Sequence, residues 1–201
     1  MKNYLLYTFS LITFLFSCQS KKENSNVDTK KEIVWTDVKV VPYLNKNEIY
    51  DRMTHEPEII DIQDKKDTTA KRSVIIDFYT SDSEDFSKSY KDTIFNCKAN
   101  LHHPDSLTIT IGYRNLVSAD GLLIDVNKEK FTTKPFYHAD VSKKKEKVKS
   151  IVLKQELRLD KANYKVGDSI FGRLYFYTMN ISNKQDTTYF RGKGTFMTKI
   201  K

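Results

Sequence analysis

The feature that most constrains this chain is a period-two alternation of apolar and polar residues. In LTITIGY (107–113), Leu107, Ile109, Ile111 and Tyr113 share one face of an extended chain, opposite Thr108, Thr110 and Gly112. Successive side chains of a strand point to opposite sides, so this pattern marks a half-buried strand. SVIIDFYT (73–80) aligns Val74, Ile76 and Phe78, and TIFNCKANL (93–101) aligns Phe95, Cys97, Ala99 and Leu101. GLLIDV (121–126), entered by an Asp120-Gly121 turn, aligns Leu122, Ile124 and Val126. Further strands are expected over 33–41, 58–63, 130–138, 148–159, 169–179 and 187–200. Turn chemistry separates them at His103-Pro104-Asp105-Ser106, Asp64-Lys65-Lys66-Asp67, Val166-Gly167-Asp168 and Asn183-Lys184-Gln185-Asp186.

One short helix is expected near 46–53. Asn45 with Glu48 three residues on forms a capping box, Leu44 and Ile49 can close a hydrophobic staple, and His55-Glu56-Pro57 stops it. Many short strands and almost no helix define an all-β chain, read as a single antiparallel β-sandwich with a β-barrel as the alternative. With 201 residues and 39% hydrophobic content, one core needs no disulfide staples. LRLDKANYKVGDSIFGRLYFY (157–177) resembles the strand–turn–strand segments of immunoglobulin-like and macroglobulin-like domains, where Tyr-x-x-Gly-Asp precedes an apolar strand. The resemblance implies an immunoglobulin-like sandwich and carries no function.

The N-terminus follows a different logic. Lys2 is followed by an apolar stretch, Tyr4 to Phe16, broken only by Thr8, Ser10 and Thr13. At ~13 residues it is too short to cross a ~30 Å hydrocarbon core as a helix, and it has the layout of a secretory signal. It ends in Leu15-Phe16-Ser17-Cys18, which resembles the lipobox of bacterial lipoproteins. The resemblance implies that Leu15 and Ser17 are signal peptidase II recognition positions, and that Cys18 is acylated to become the first residue of the mature chain. Phe16 is bulkier than the family's usual residue there. Gln19 stands where an aspartate commonly holds such proteins in an inner membrane, so an outer membrane is favoured where there are two.

Residues 1–17 thus read as a signal peptide, 18–32 as the lipidated cysteine with a flexible tether, and 33–201 as one sandwich domain. QSKKENSNVDTKKE (19–32) holds a single apolar residue, Val27, and cannot bury enough to fold. A coil of that length reaches roughly 20 Å.

Candidate chemistry in the folded part is sparse. Cys97 shares parity with Phe95 and Ala99 on the core face, where a thiol acts as a small inert hydrophobe. His102 and His103 are adjacent on a strand and diverge, so they read as a polar turn before Pro104 rather than as a metal pair. No nucleophile elbow, phosphate-cradling glycine loop, CxxC pair or EF-hand spacing occurs. The net charge of +8 includes a basic run, Lys143 to Lys149, that suits anionic headgroups or a polyanion. If strands 169–179 and 187–200 pair, Arg173, Tyr175, Tyr177, Tyr189, Arg191 and Lys193 share the face opposite the core. Tyrosine and arginine are enriched at binding hot spots, so this face is the candidate binding patch.

These readings converge on a lipid-anchored, non-enzymatic envelope protein that binds or scaffolds an envelope protein, a glycan or a polyanion. No cofactor is called for, and a location outside the cytoplasm removes nucleic acid as a partner. The rival readings are a barrel-like carrier with an apolar cavity and, third, an envelope enzyme.

Overall fold

The computed structural model describes residues 33–59, 66–86, 90–92, 95–114, 118–139 and 148–201. The leader, Cys18, the tether and residues 143–147 of the basic run lie outside the described residues. The described chain opens with strands β1 (Thr36–Asp37) and β2 (Lys39–Val40), a 3-10 turn over Leu44–Lys46, and helix α1 (Glu48–His55). Then come β3 (Pro57–Ile59), β4 (Lys66–Lys71), β5 (Val74–Ser81) and β6 (Tyr90–Asp92). A four-strand meander follows: β7 (Asn96–His103), β8 (Ser106–Arg114), β9 (Ser118–Asn127) and β10 (Lys130–Ala139). Three long strands end the chain: β11 (Lys149–Leu159), β12 (Ser169–Ile181) and β13 (Thr187–Lys199).

Two open sheets result, ordered β1-β10-β9-β8-β7 and β2-β11-β12-β13-β5-β6, with β3 and β4 as a separate ribbon. The sandwich reading holds, and the barrel alternative falls because neither sheet closes on itself. The alternating faces meet in one core. Cys97, Ile109, Ile111, Leu122, Ile124 and Phe131 come from the five-stranded sheet; Ile76, Phe78, Leu157, Leu174, Phe176 and Phe196 come from the six-stranded one. Phe78 lies 5.1 Å from Phe95 and 5.4 Å from Phe176, centroid to centroid, in tilted contacts. The interior that a carrier would need open is filled by these rings.

The first two strands switch sheets. β1 pairs with β10, and two residues later β2 pairs in parallel with β11. Val38 N–H bonds to Glu129 O (2.6 Å) at the crossing, so the chain stitches both layers at one end. Between them Gln155 acts as a polar rivet. Its Oε1 accepts from Thr133 N–H (3.0 Å) and from the Thr133 hydroxyl (2.9 Å). Its Nε2 donates to Val34 O (3.1 Å) and Thr36 Oγ1 (2.8 Å).

Several local expectations are corrected. The helix starts two residues later, because Asn47 rather than Asn45 is the cap and accepts from Ile49 N–H (3.2 Å); Leu44 and Lys46 are drawn into the 3-10 turn before it. Asp120-Gly121 is not a turn but part of β9. Gly121 has φ 154° and faces Gly112 so closely that a Cβ would sit 2.2 Å from Ile111 O, so glycine is required by contact and by backbone. Lys66 and Asp67, read as a turn, begin β4 opposite β3. The span 33–41 divides into two bridges in different sheets rather than one strand.

The segment resembling immunoglobulin-like domains forms a tight corner. Tyr164 is buried and its hydroxyl donates to Asp160 Oδ1 (2.7 Å), which also accepts from Phe171 N–H (3.0 Å). Burial, reinforced by the Asp160 carboxylate, pushes the Tyr164 phenol well above its ordinary pKa. Gly167 (φ 92°) then turns the chain into β12.

Candidate functional site

The binding face expected from sequence forms on the outer side of the six-stranded sheet. Strands β12 and β13 pair in the register that sets Tyr175 opposite Lys193 and Tyr177 opposite Arg191. Their neighbours extend each row. Lys154 of β11 stands beside Tyr177, and Tyr79 of β5 beside Arg191, giving Lys154–Tyr177–Arg191–Tyr79 across four strands. The next row reads Glu156–Tyr175–Lys193–Asp77.

Rings and cations interlock on this face. Lys154 Nζ lies 5.4 Å from the Tyr175 centroid, and the Arg191 guanidinium lies 4.4 Å from the Phe86 ring and 5.4 Å from Tyr79. These are cation–π distances, at which the ring quadrupole attracts the cation. Phe86, in the left-handed region at φ 52°, meets Tyr177 edge-on at 5.9 Å, and Tyr177 lies 6.2 Å from Tyr189. Tyr189 donates its hydroxyl to Glu84 (3.3 Å). Packing and then the Glu84 carboxylate push both the Tyr177 and Tyr189 phenols above the ordinary tyrosine value. Arg191 and Lys193 remain exposed.

Arg173 does not join them. Helix α1 and the 3-10 turn before it lie over that end of the face, packing Leu44, Tyr50 and Met53 on Ile75, Phe171 and Met197. The Tyr50 hydroxyl donates to Gly172 O (2.8 Å), and its ring meets Phe171 at 5.2 Å, edge to face. Burial pushes Tyr50 up to about 12 against the opposing pull of Arg173, whose Nε is buried with no hydrogen-bond partner. Of the six residues expected in the patch, five stand clear of the helix, with Phe86 packed against Tyr177 and Arg191, and Arg173 is under the helix margin.

Sequence reasoning missed Lys154, Tyr79 and Phe86. The parity of Tyr79 was readable from Val74, Ile76 and Phe78, but nothing local placed β5 beside β13. Phe86 sits in a stretch of acids and serines and carries no periodic signal at all.

The other candidates are structural. Cys97 is buried, and burial assisted by the Glu58 charge pushes its thiol far above the usual value. His102 and His103 are exposed at the end of β7, with the His102 ring 3.1 Å from the Thr108 hydroxyl. Among the described residues no group of three metal-ligating side chains comes together, and no helix is long and apolar enough to cross a membrane. A cleft of about 320 Å³ opens at the end of the sandwich, floored by Val38, Leu101, Leu107, Val126 and Leu159 and rimmed by Asp105 and Lys128. No known protein family, curated protein or solved structure matches the chain.

Proposed function

We propose that this chain is a lipoprotein anchored through Cys18, and that its sandwich binds an acidic glycan of the cell envelope on the outer face of the six-stranded sheet. The anchoring part rests on the Leu15-Phe16-Ser17-Cys18 motif after a short apolar leader. The binding part rests on one observation, the in-register alternation of cations and tyrosines along Lys154–Tyr177–Arg191–Tyr79. Strands are ~4.8 Å apart, so Lys154 and Arg191 stand ~9.6 Å from each other, as do Tyr177 and Tyr79. A sugar chain lying across the strands would meet a flat ring and a cation in turn. Rings suit the apolar faces of sugars, while cations suit carboxylates. The reading is non-enzymatic: the Cys97 thiol is sealed in the core, and the Tyr164 hydroxyl at the end cleft is held by the Asp160 carboxylate. The end cleft favours a second reading, capture of a small apolar ligand, since its volume and apolar floor fall within the range of small-molecule sites.

The test is binding of the full chain to polygalacturonate, with dextran as the neutral control, at increasing salt. Tyr175→Ala combined with Arg191→Ala should weaken polygalacturonate binding about tenfold while leaving the melting temperature unchanged. Equal binding to dextran, or no effect of the pair, overturns the glycan reading. Expressed in cells, Cys18→Ser should accumulate as an unprocessed precursor that takes up no labelled fatty acid, and normal labelling would remove the anchor.

A further inference from the structure

Nine large apolar side chains are well exposed among the described residues, and six of them lie along one seam: Ile33, Val34, Trp35, Tyr137, Val148 and Leu153. Scattered exposed apolar residues are ordinary, whereas their concentration on one strip marks an interaction surface. The strip follows the margin where the two sheets come together. β10 is outermost in its sheet except for the two residues of β1, and β11 except for the two of β2. The Gln155 rivet holds these margins side by side and fastens Val34 between them. From that point β10 runs on to Tyr137, about 13 Å beyond Thr133 at the usual strand rise. β11 reaches back through Leu153, left exposed at the bulge between Val152 and Lys154, to Val148.

We infer that this seam is the surface on which the sandwich rests against the lipid bilayer. The inference rests on the anchoring reading above and adds an orientation to it. Three observations name the occupant. The polar segment that follows Cys18 ends at Ile33, where the strip begins. A coil of fifteen residues spans roughly 20 Å, so an anchored chain holds the seam within reach of the lipid at high effective concentration. The strip carries Trp35 and Tyr137, residue types that settle at the membrane–water boundary. Exposed Lys134 and Lys149 flank it, and lysines are drawn to an anionic leaflet. With the seam down, strands lie along the membrane and the sheets stand upright on it. The row from Lys154 to Tyr79 then leads away from the lipid, presenting the proposed glycan face to the envelope.

Trp35 is the only tryptophan in the chain and reports on this surface directly. The test uses the full chain as cells produce it, in vesicles of phosphatidylethanolamine with a minority of phosphatidylglycerol, with and without brominated acyl chains. Docking predicts that brominated lipid quenches Trp35 emission about twofold, with a blue shift and protection from acrylamide. Tyr137→Ser with Leu153→Ser, both at exposed positions, should abolish most of that quenching without shifting the melting temperature. Acylated protein whose Trp35 stays unquenched and open to acrylamide overturns docking while the anchor stands. Protein shown by mass spectrometry to lack acyl chains overturns the anchor alone. Vesicles added to that protein still decide docking, since quenching supports the surface and its absence rejects it.

Discussion

Glu58 shows what one side chain contributes when the fold removes it from water. It is 7% exposed and accepts from the backbone N–H of Ser73 (2.9 Å) and of Ile59 (3.2 Å). Burial nonetheless dominates and holds its pKa above the ordinary glutamate value, with the Ser73 hydroxyl and Arg72 pulling the other way. Ser73 is the hinge of this network, because its oxygen accepts from Cys97 N–H (2.7 Å) and leaves its own proton for Glu58. A carboxyl with a raised folded pKa keeps its proton in the native state after the unfolded chain has lost it. Stability therefore falls as pH rises from the unfolded value through the folded one, and stays lower above that window. Glu58→Gln should flatten this decline. Urea midpoints measured from about pH 4 to pH 8 should converge at the acid end and favour the variant at the neutral end; parallel profiles would contradict the assignment. The buried, inert state of Cys97 was legible from its parity with Phe95 and Ala99. The Glu58–Ser73–Cys97 network was not, since its members are 15 and 24 residues apart and follow no period.

At the scale of elements, β12 and β13 interlock through two reciprocal pairs. Phe196 lies over Gly172 and Phe176 over Gly192, each ring occupying the space a Cβ would need. A methyl on Gly192 would sit 2.2 Å from Phe176 Cε1, and Phe176 is fully buried with no room to retreat. Gly192→Ala should thus cost about 2–3 kcal/mol, read as a lower denaturant midpoint with an unchanged slope. A cost below about 0.5 kcal/mol would mean that the ring can move aside. Alternation made the long strands readable, and with them the tyrosine-rich face of β12 and β13, because each carries its own hydrophobic parity. What defeated local reading was pairing at a distance. Asp120-Gly121 looks like a turn until Gly112 is placed against it, and Lys66-Asp67 looks like a loop until β3 lies alongside. In sequence Asn45, with Glu48 three residues on, is the better cap, whereas Asn47 is followed at that spacing by Tyr50. The 3-10 turn that buries Leu44 against α1 takes up Asn45 and moves the cap to Asn47.

The whole molecule solves a problem common to open sheets, whose margins invite further strands. Each margin of the five-stranded sheet is blocked by groups from the other sheet or the segments joining the two. Along β7, Ser73 takes Cys97 N–H, while Lys201 accepts from Leu101 N–H (2.9 Å) and donates to Ala99 O (3.0 Å). Along β10, β1 covers Phe131, the Gln155 amide occupies Thr133, and Pro135 has no N–H to offer. The Gln155 side chain thereby stands in for a strand, accepting from Thr133 N–H and reaching Phe131 O at 3.4 Å. Gln155→Ala should leave the Thr133 amide and hydroxyl buried without partners, at about 1–3 kcal/mol each before relaxation. It should also release Val34 and open the β10 margin. The expected outcome is a loss of roughly 2–4 kcal/mol in denaturant unfolding together with self-association that grows with concentration in sedimentation velocity. Val74→Ala, which removes buried methyls without opening either margin, provides the comparison, since it should destabilise without associating. If both variants associate alike, general destabilisation rather than an opened edge is responsible, and Gln155 is a core contact and not a strand substitute.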